Sequence, residues 1–136
     1  MSGGKRSFLV VDDEPEICWI LERILQRAGG SCQIATDAQA ALSLTRRMTF
    51  DMAFLDAKLP DRDGLDLAKE LLGNDPGMRI VIVSGYFYRD DPTITAAIQS
   101  GLITAFFAKP FDHDEITRTI GFASASPDRR ESVPLN

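Results

Sequence analysis

The chain has 136 residues, 44% hydrophobic and 26% charged, with a formal net charge of −5. That length predicts one domain able to bury roughly 68% of its unfolded surface, so neither disulfide nor metal is required for folding. The acidic balance leaves no basic patch to displace counterions and argues against a direct nucleic-acid surface, while no apolar run approaches the ~20 residues of a membrane span and no signal-peptide core opens the chain.

Residues 1–6 read as a short flexible lead. Ser7 to Val11 is a short, continuously apolar run, the pattern of a buried strand, and it ends on Asp12-Asp13. Asp13-Glu14-Pro15 opens a helix, with acids in the first turn and proline near its first position. Ile17, Leu21, Ile24, Leu25 and Ala28 recur at helical spacing until Gly29-Gly30 stops it. Cys32 to Ala35 is a second, weaker strand. Thr36 or Asp37 caps a helix carrying Ala38, Ala41, Leu42, Leu44 and Thr45 as far as Met48. Met52 to Leu55 is a third strand, ending on Asp56. A polar loop containing Pro60 leads to Gly64-Leu65, the start of a third helix.

After the turn Asn74-Asp75-Pro76-Gly77, Arg79 to Val83 forms a fourth strand ending on Ser84-Gly85. Tyr86-Phe87-Tyr88 leads through Asp90-Asp91-Pro92 into a helix over Thr93 to Gln99. Ile103 to Ala108 is a fifth strand ending on Lys109-Pro110. Asp112 caps a last helix with Ile116, Ile120 and Ala123. Residues 125–136 are polar and read as a disordered tail or the start of a linker. Cys18 and Cys32 lie among apolar residues without metal-like spacing, which predicts buried, reduced thiols and a cytoplasmic setting.

Five strand–helix alternations with apolar strands predict an α/β fold: a doubly wound, five-stranded parallel sheet of order 2-1-3-4-5 with helices on both faces. In such a flavodoxin-like sheet the reactive crevice lies outside the carboxyl ends of strands one and three, where Asp12, Asp13 and Asp56 fall. Three carboxylates at one mouth repel, and a hard divalent cation removes the conflict. An aspartate beside Mg²⁺ is a plausible nucleophile toward a phosphoryl group, with Lys109 supplying a point charge and Ser84 a hydroxyl. Taken singly, Asp12-Asp13 would serve as helix-capping acids, Ser84 as a turn hydroxyl and Lys109 as a solvated strand-end lysine. Their convergence with Asp56 favours a phosphoryl-transfer site.

Together these residues give a chain that resembles the receiver (CheY-like) domain of two-component response regulators, over about Phe8 to Phe122. The matching positions are Asp12-Asp13 after the first strand, Asp56 after the third, Pro60 and Gly64 beyond it, Ser84 after the fourth, and Lys109-Pro110-Phe111 after the fifth. The resemblance implies that Asp56 accepts phosphoryl from a sensor histidine kinase or histidine phosphotransferase. It implies that Asp13, Asp56 and the Lys58 carbonyl bind Mg²⁺ (or Mn²⁺), with Asp12 helping through water. Ser84 and Phe106 would be the switch pair, the ring moving inward as Ser84 turns to the phosphoryl group, and the Lys109-Pro110 bond would be cis. The sequence departs from the family pattern in Ser for the commoner Thr at position 84, Phe for the frequent Tyr at 106, a long Gly85–Pro92 loop and an extra residue between Gly101 and Lys109.

Trp19 lies roughly 200° from Ile17 around the first helix, which places it over the surface or against a partner helix. Lys58 and Tyr86 each follow a site residue by two positions and are expected to slow water attack on the aspartyl-phosphate. His113 reads as an exposed first-turn residue. The expected receiver unit is 7–124. It would catalyse only its own phosphorylation and dephosphorylation, and signal through the face of helix four, strand five and helix five, to a target protein or its own dimer. A fragment of a larger regulator and a degenerate receiver acting without phosphorylation are the alternatives. A haloacid-dehalogenase-like phosphatase would want Asp-x-Asp on strand one. A flavodoxin would want a Ser/Thr/Gly-rich phosphate loop where Asp-Asp-Glu-Pro stands.

Overall fold

The computed structural model describes residues 6–88 and 90–124. Its elements run β1 (Ser7–Val11), α1 (Pro15–Arg27), β2 (Ser31–Ala35), α2 (Ala38–Arg47), β3 (Met52–Leu55), α3 (Gly64–Asn74), β4 (Arg79–Ser84), α4 (Pro92–Gln99), β5 (Ala105–Ala108) and α5 (His113–Ser124). The five strands form one parallel sheet in the order β2-β1-β3-β4-β5.

Side-chain alternation along the strands divides the core into two layers. Leu9, Val11, Ala53, Leu55, Ile80, Ile82 and Phe106 face α2, α3 and α4. Phe8, Val10, Met52, Phe54, Val81, Val83 and Phe107 face α1 and α5. Phe8 and Phe54 are almost fully buried, each stabilising the fold by roughly 1.5–3 kcal/mol. Both faces of the central strands are covered, which is why they read as unbroken apolar runs.

The edge strand β2 differs. It pairs only with β1, and Ser31, Gln33 and Ile34 are exposed. Cys32 is therefore half-buried, not buried as expected, whereas Cys18 is buried on the inner face of α1. Burial pushes the Cys18 thiol up to about 11 and the Cys32 thiol up to about 12.

Several boundaries shift for local reasons. Helix α1 begins at Pro15 with Glu14 as its N-cap, so Asp13 lies outside it, and Ala28 is an exposed C-cap followed by Gly29 at φ +88°. Asp37 caps α2 by accepting the Ala40 N–H at 2.8 Å, and Met48 ends it in extended backbone. Strand β5 starts at Ala105, two residues after buried Ile103. Helix α4 forms despite the long loop before it, capped by Asp91 and seated through Ile94 and Ala97. Arg6, expected in the lead, accepts the Ser31 N–H on its carbonyl at 2.8 Å. The rest of the expected lead, the tail at 125–136 and the Ala123 side chain lie outside the described residues.

Candidate functional site

Parallel register brings the carboxyl ends of β1, β3, β4 and β5 to one edge, and three backbone bonds extend the ladder past them. Asp12 N–H donates to Ala35 O at 3.1 Å, Asp56 N–H to Val11 O at 2.9 Å, and Lys109 N–H to Ser84 O at 3.0 Å. The residue after each apolar run is thereby held as rigidly as the strand itself.

Carboxylate oxygens of Asp12, Asp13 and Asp56 all lie within 4.8 Å of one another. Asp12 and Asp56 are buried and Asp13 is exposed. The Lys109 ammonium reaches Asp12 Oδ2 at 3.0 Å and Asp56 Oδ2 at 3.3 Å. It also contacts Glu14 Oε1, a residue that sequence reasoning used only as part of a helix start. Burial drives the Asp12 carboxyl above its ordinary range, outweighing the Glu14 N–H and Lys109 that favour its charge. For Lys109, burial acts downward, but hydrogen bonds to Glu14 and Asp12 and the charges of Asp12 and Asp56 outweigh it, so the ammonium is held well above the lysine range.

The donor set is all oxygen. A buried carboxylate whose charge is disfavoured, beside two more within 4.8 Å, fits a hard divalent cation that keeps some of its water. Lys58 N–H donates to Asp56 Oδ1 at 3.2 Å, and the Lys58 backbone pairs with that of Asp63 in an isolated antiparallel β-bridge, which fixes the loop carrying the Lys58 carbonyl. Gly64 makes that loop possible. Its N–H donates to Ala57 O at 2.7 Å, and a Cβ at Gly64 would stand 2.1 Å from Asp56 O. Pro60, beyond Asp56, is an exposed loop residue. Asp61, which the sequence did not single out, accepts the N–H groups of Ala38 and Gln39 at 2.9 Å each, tying the loop to the start of α2. Those bonds hold its carboxyl below the ordinary range.

Ser84 is fully buried, and its Oγ accepts the Tyr86 N–H at 2.9 Å. Phe106 is already 6% exposed, packed with Ile94, Ala97 and Ile103. The Lys109-Pro110 peptide is cis. Across the mouth, the Lys58 ammonium stands 4.1 Å from the Tyr86 ring centroid, and Phe87 meets that ring edge-on at 4.9 Å.

On α1, Trp19 is 58% exposed and carries the Arg23 guanidinium at 4.9 Å from its ring. It lines a shallow groove with Ile20, Ile24 and the exposed His113. No helix among the described residues is long and apolar enough to cross a membrane.

Residues 8–121 match the family model described as the response regulator receiver domain. The transcriptional regulatory protein ZraR of Klebsiella oxytoca is 31% identical over 132 residues, covering 97% of this chain but 29% of its own length. The chain therefore spans under a third of that curated relative. Among solved structures, a CheY-like response regulator receiver domain from Methanospirillum hungatei superposes with a TM-score of 0.82 at 24% identity, covering 95% of this chain and 99% of its own. The response regulator TrrA of Thermotoga maritima, in complex with Mg²⁺ and BeF, gives 0.73 at 26% identity, covering 86% and 97%.

Proposed function

The chain belongs to the response-regulator receiver family of two-component systems, and from that premise we propose that it is the phosphoacceptor of a His–Asp relay, with Asp56 as the acceptor. An Asp56 carboxylate oxygen attacks the phosphorus of a phosphohistidine on a sensor histidine kinase or histidine phosphotransferase. The new O–P bond forms as the P–N bond breaks, and the imidazole nitrogen keeps the electron pair and takes up a proton.

Asp12, Asp13, Asp56 and the Lys58 carbonyl are the groups that would hold Mg²⁺ or Mn²⁺, which when bound neutralises charge on the phosphoryl oxygens. Lys109, kept protonated by its carboxylate neighbours, supplies a further positive charge to those oxygens. The Ser84 hydroxyl can donate to them while still accepting the Tyr86 N–H, since a hydroxyl has one donor and two acceptor sites. Lys58 and Tyr86 shield the phosphorus from water and lengthen the aspartyl-phosphate lifetime. The module catalyses only its own phosphorylation and dephosphorylation. Output passes through α4, β5 and α5, where Ile98 on α4 is an exposed apolar group.

The observation that carries this reading is Lys109 lying 3.0 Å from Asp12 and 3.3 Å from Asp56, a cation wedged between a buried acid and the proposed acceptor. Intact-mass measurement after incubation with Mg²⁺ and acetyl phosphate tests it. One phosphoryl group on the parent, and none with chelator or in Asp56→Asn, is expected. No adduct under conditions that modify another receiver would favour a partner-binding module that works without phosphorylation.

A further inference from the structure

The four other helices use the acid at their start on the helix itself: Asp37 accepts from Ala40, Asp63 from Leu65, Asp91 from Thr93, and Asp112 from Asp114. Glu14 occupies the same position on α1 and makes no side-chain cap. Its carboxylate turns instead to the Lys109 ammonium, while its backbone N–H donates to Asp12 Oδ1 at 2.9 Å. One residue thus grips both partners of the Asp12–Lys109 pair. Lys109 carries three N–H donors and has three carboxylates around it, on β1's end, the α1 cap and β3's end. Of these only Glu14 stands outside the group of acids whose oxygens converge within 4.8 Å.

We propose that Glu14 is a positioning residue: it gives the Lys109 ammonium, which also touches Asp12 and Asp56, a third partner outside the acid cluster, so that the ammonium can yield the Asp12 and Asp56 oxygens to a divalent cation without losing its place at the site. Without Glu14, the ammonium has only Asp12 and Asp56 as partners, and it competes with the metal for the same lone pairs. With Glu14, the lysine has a partner that survives metal binding and keeps its charge beside the acceptor, ready for phosphoryl oxygens. The inference rests on the phosphoacceptor reading for its consequence, though not for the Glu14–Lys109 contact itself.

The test is a two-by-two cycle of Glu14→Gln and Lys109→Met, read without phosphodonor. Titration calorimetry with Mg²⁺ is expected to show Glu14→Gln weakening affinity roughly 3- to 10-fold, at or below the low end for outer-shell partners because half the side chain faces water. In the Lys109→Met background the same change should cost less than about 2-fold, because the competing ammonium is gone. An equal loss in both backgrounds would mean that Glu14 acts only as a nearby charge, and would overturn the proposal. Thermal melts of the four proteins in chelator supply a metal-free arm, where non-additive shifts are expected and strict additivity would again overturn it. If the parent failed to bind Mg²⁺ at all, the proposal would be overturned whatever the melts showed, whereas Mg²⁺ binding with the expected Glu14 effect but no phosphoryl adduct on Asp56 would sink the phosphoacceptor reading and leave the proposal standing.

Discussion

Removing either half of the Lys58–Tyr86 contact is expected to speed loss of phosphoryl from Asp56. The ammonium lies 4.1 Å from the ring centroid, and Tyr86 is 60% exposed. The interaction therefore takes the exposed-site value of about 0.5–1 kcal/mol. If the pair must part before water reaches the phosphorus, that energy adds to the hydrolysis barrier, and Lys58→Ala or Tyr86→Ala should hydrolyse about 2- to 5-fold faster. The double variant should be no faster than either single one, because the same contact is lost in each case. Tyr86→Phe keeps the ring and should behave like the parent. The assay is direct: load with acetyl phosphate and Mg²⁺, remove the donor by desalting, and follow the decay by phosphate-affinity electrophoresis. Unchanged rates in both single variants, or effects that multiply in the double one, would refute the shielding role.

Gly64→Ala puts a Cβ 2.1 Å from Asp56 O and 2.8 Å from Ala57 Cα, both backbone, so the loop must shift. A cost of about 1–3 kcal/mol lowers Tm by roughly 4–12 °C in calorimetry, with slower phosphorylation of Asp56. Asp12→Asn should melt above the parent in chelator at neutral pH, because burial disfavours the Asp12 charge. The folded parent then binds a proton that the unfolded chain does not bind until pH falls to its ordinary carboxylate pKa. The parent accordingly gains relative stability as pH drops through the raised value, and the gap between the two proteins narrows in melts at decreasing pH. Trp19→Ala, which removes an exposed ring outside the acid cluster, should leave acetyl phosphate labelling unchanged while slowing transfer from a histidine kinase, as measured by single-turnover phosphotransfer. With Cys18 pushed up to about 11 and Cys32 to about 12, a colorimetric thiol titration at neutral pH should be slow in the native protein and rapid in denaturant.

Central strands were legible because their burial on both faces leaves an unbroken apolar record, and the carboxyl-end acids followed from where each run stops. Edge strand β2 left a weaker record because one side meets water, which is also why Cys32 is only half-buried. The strand order brought Asp12, Asp56 and Lys109 together without any side-chain information. What sequence could not give were contacts set by rotamers across elements. Glu14 lies 95 positions from Lys109, and an acid beside a proline at a helix start carries no sign that its side chain turns away from the helix. Asp61 likewise reads as an ordinary loop acid, and its grip on Ala38 and Gln39 exists only once α2 and the β3–α3 loop are packed side by side. The offset of Lys58 and Tyr86 from their site residues was a signal for proximity, and the cation over the ring is its geometric form.

The most direct test of Asp56 as acceptor is chemical trapping of the phosphorylated residue. An acyl phosphate, unlike a free carboxylate or a phosphate ester, is reduced by borohydride to an alcohol, so the modified aspartate becomes homoserine. Protein loaded with acetyl phosphate and Mg²⁺, reduced, digested and sequenced by mass spectrometry should carry homoserine at position 56 and at no other acid, and none when chelator replaces Mg²⁺. Homoserine at position 12 or 13, or a phosphate that survives borohydride, would contradict Asp56 as the acceptor.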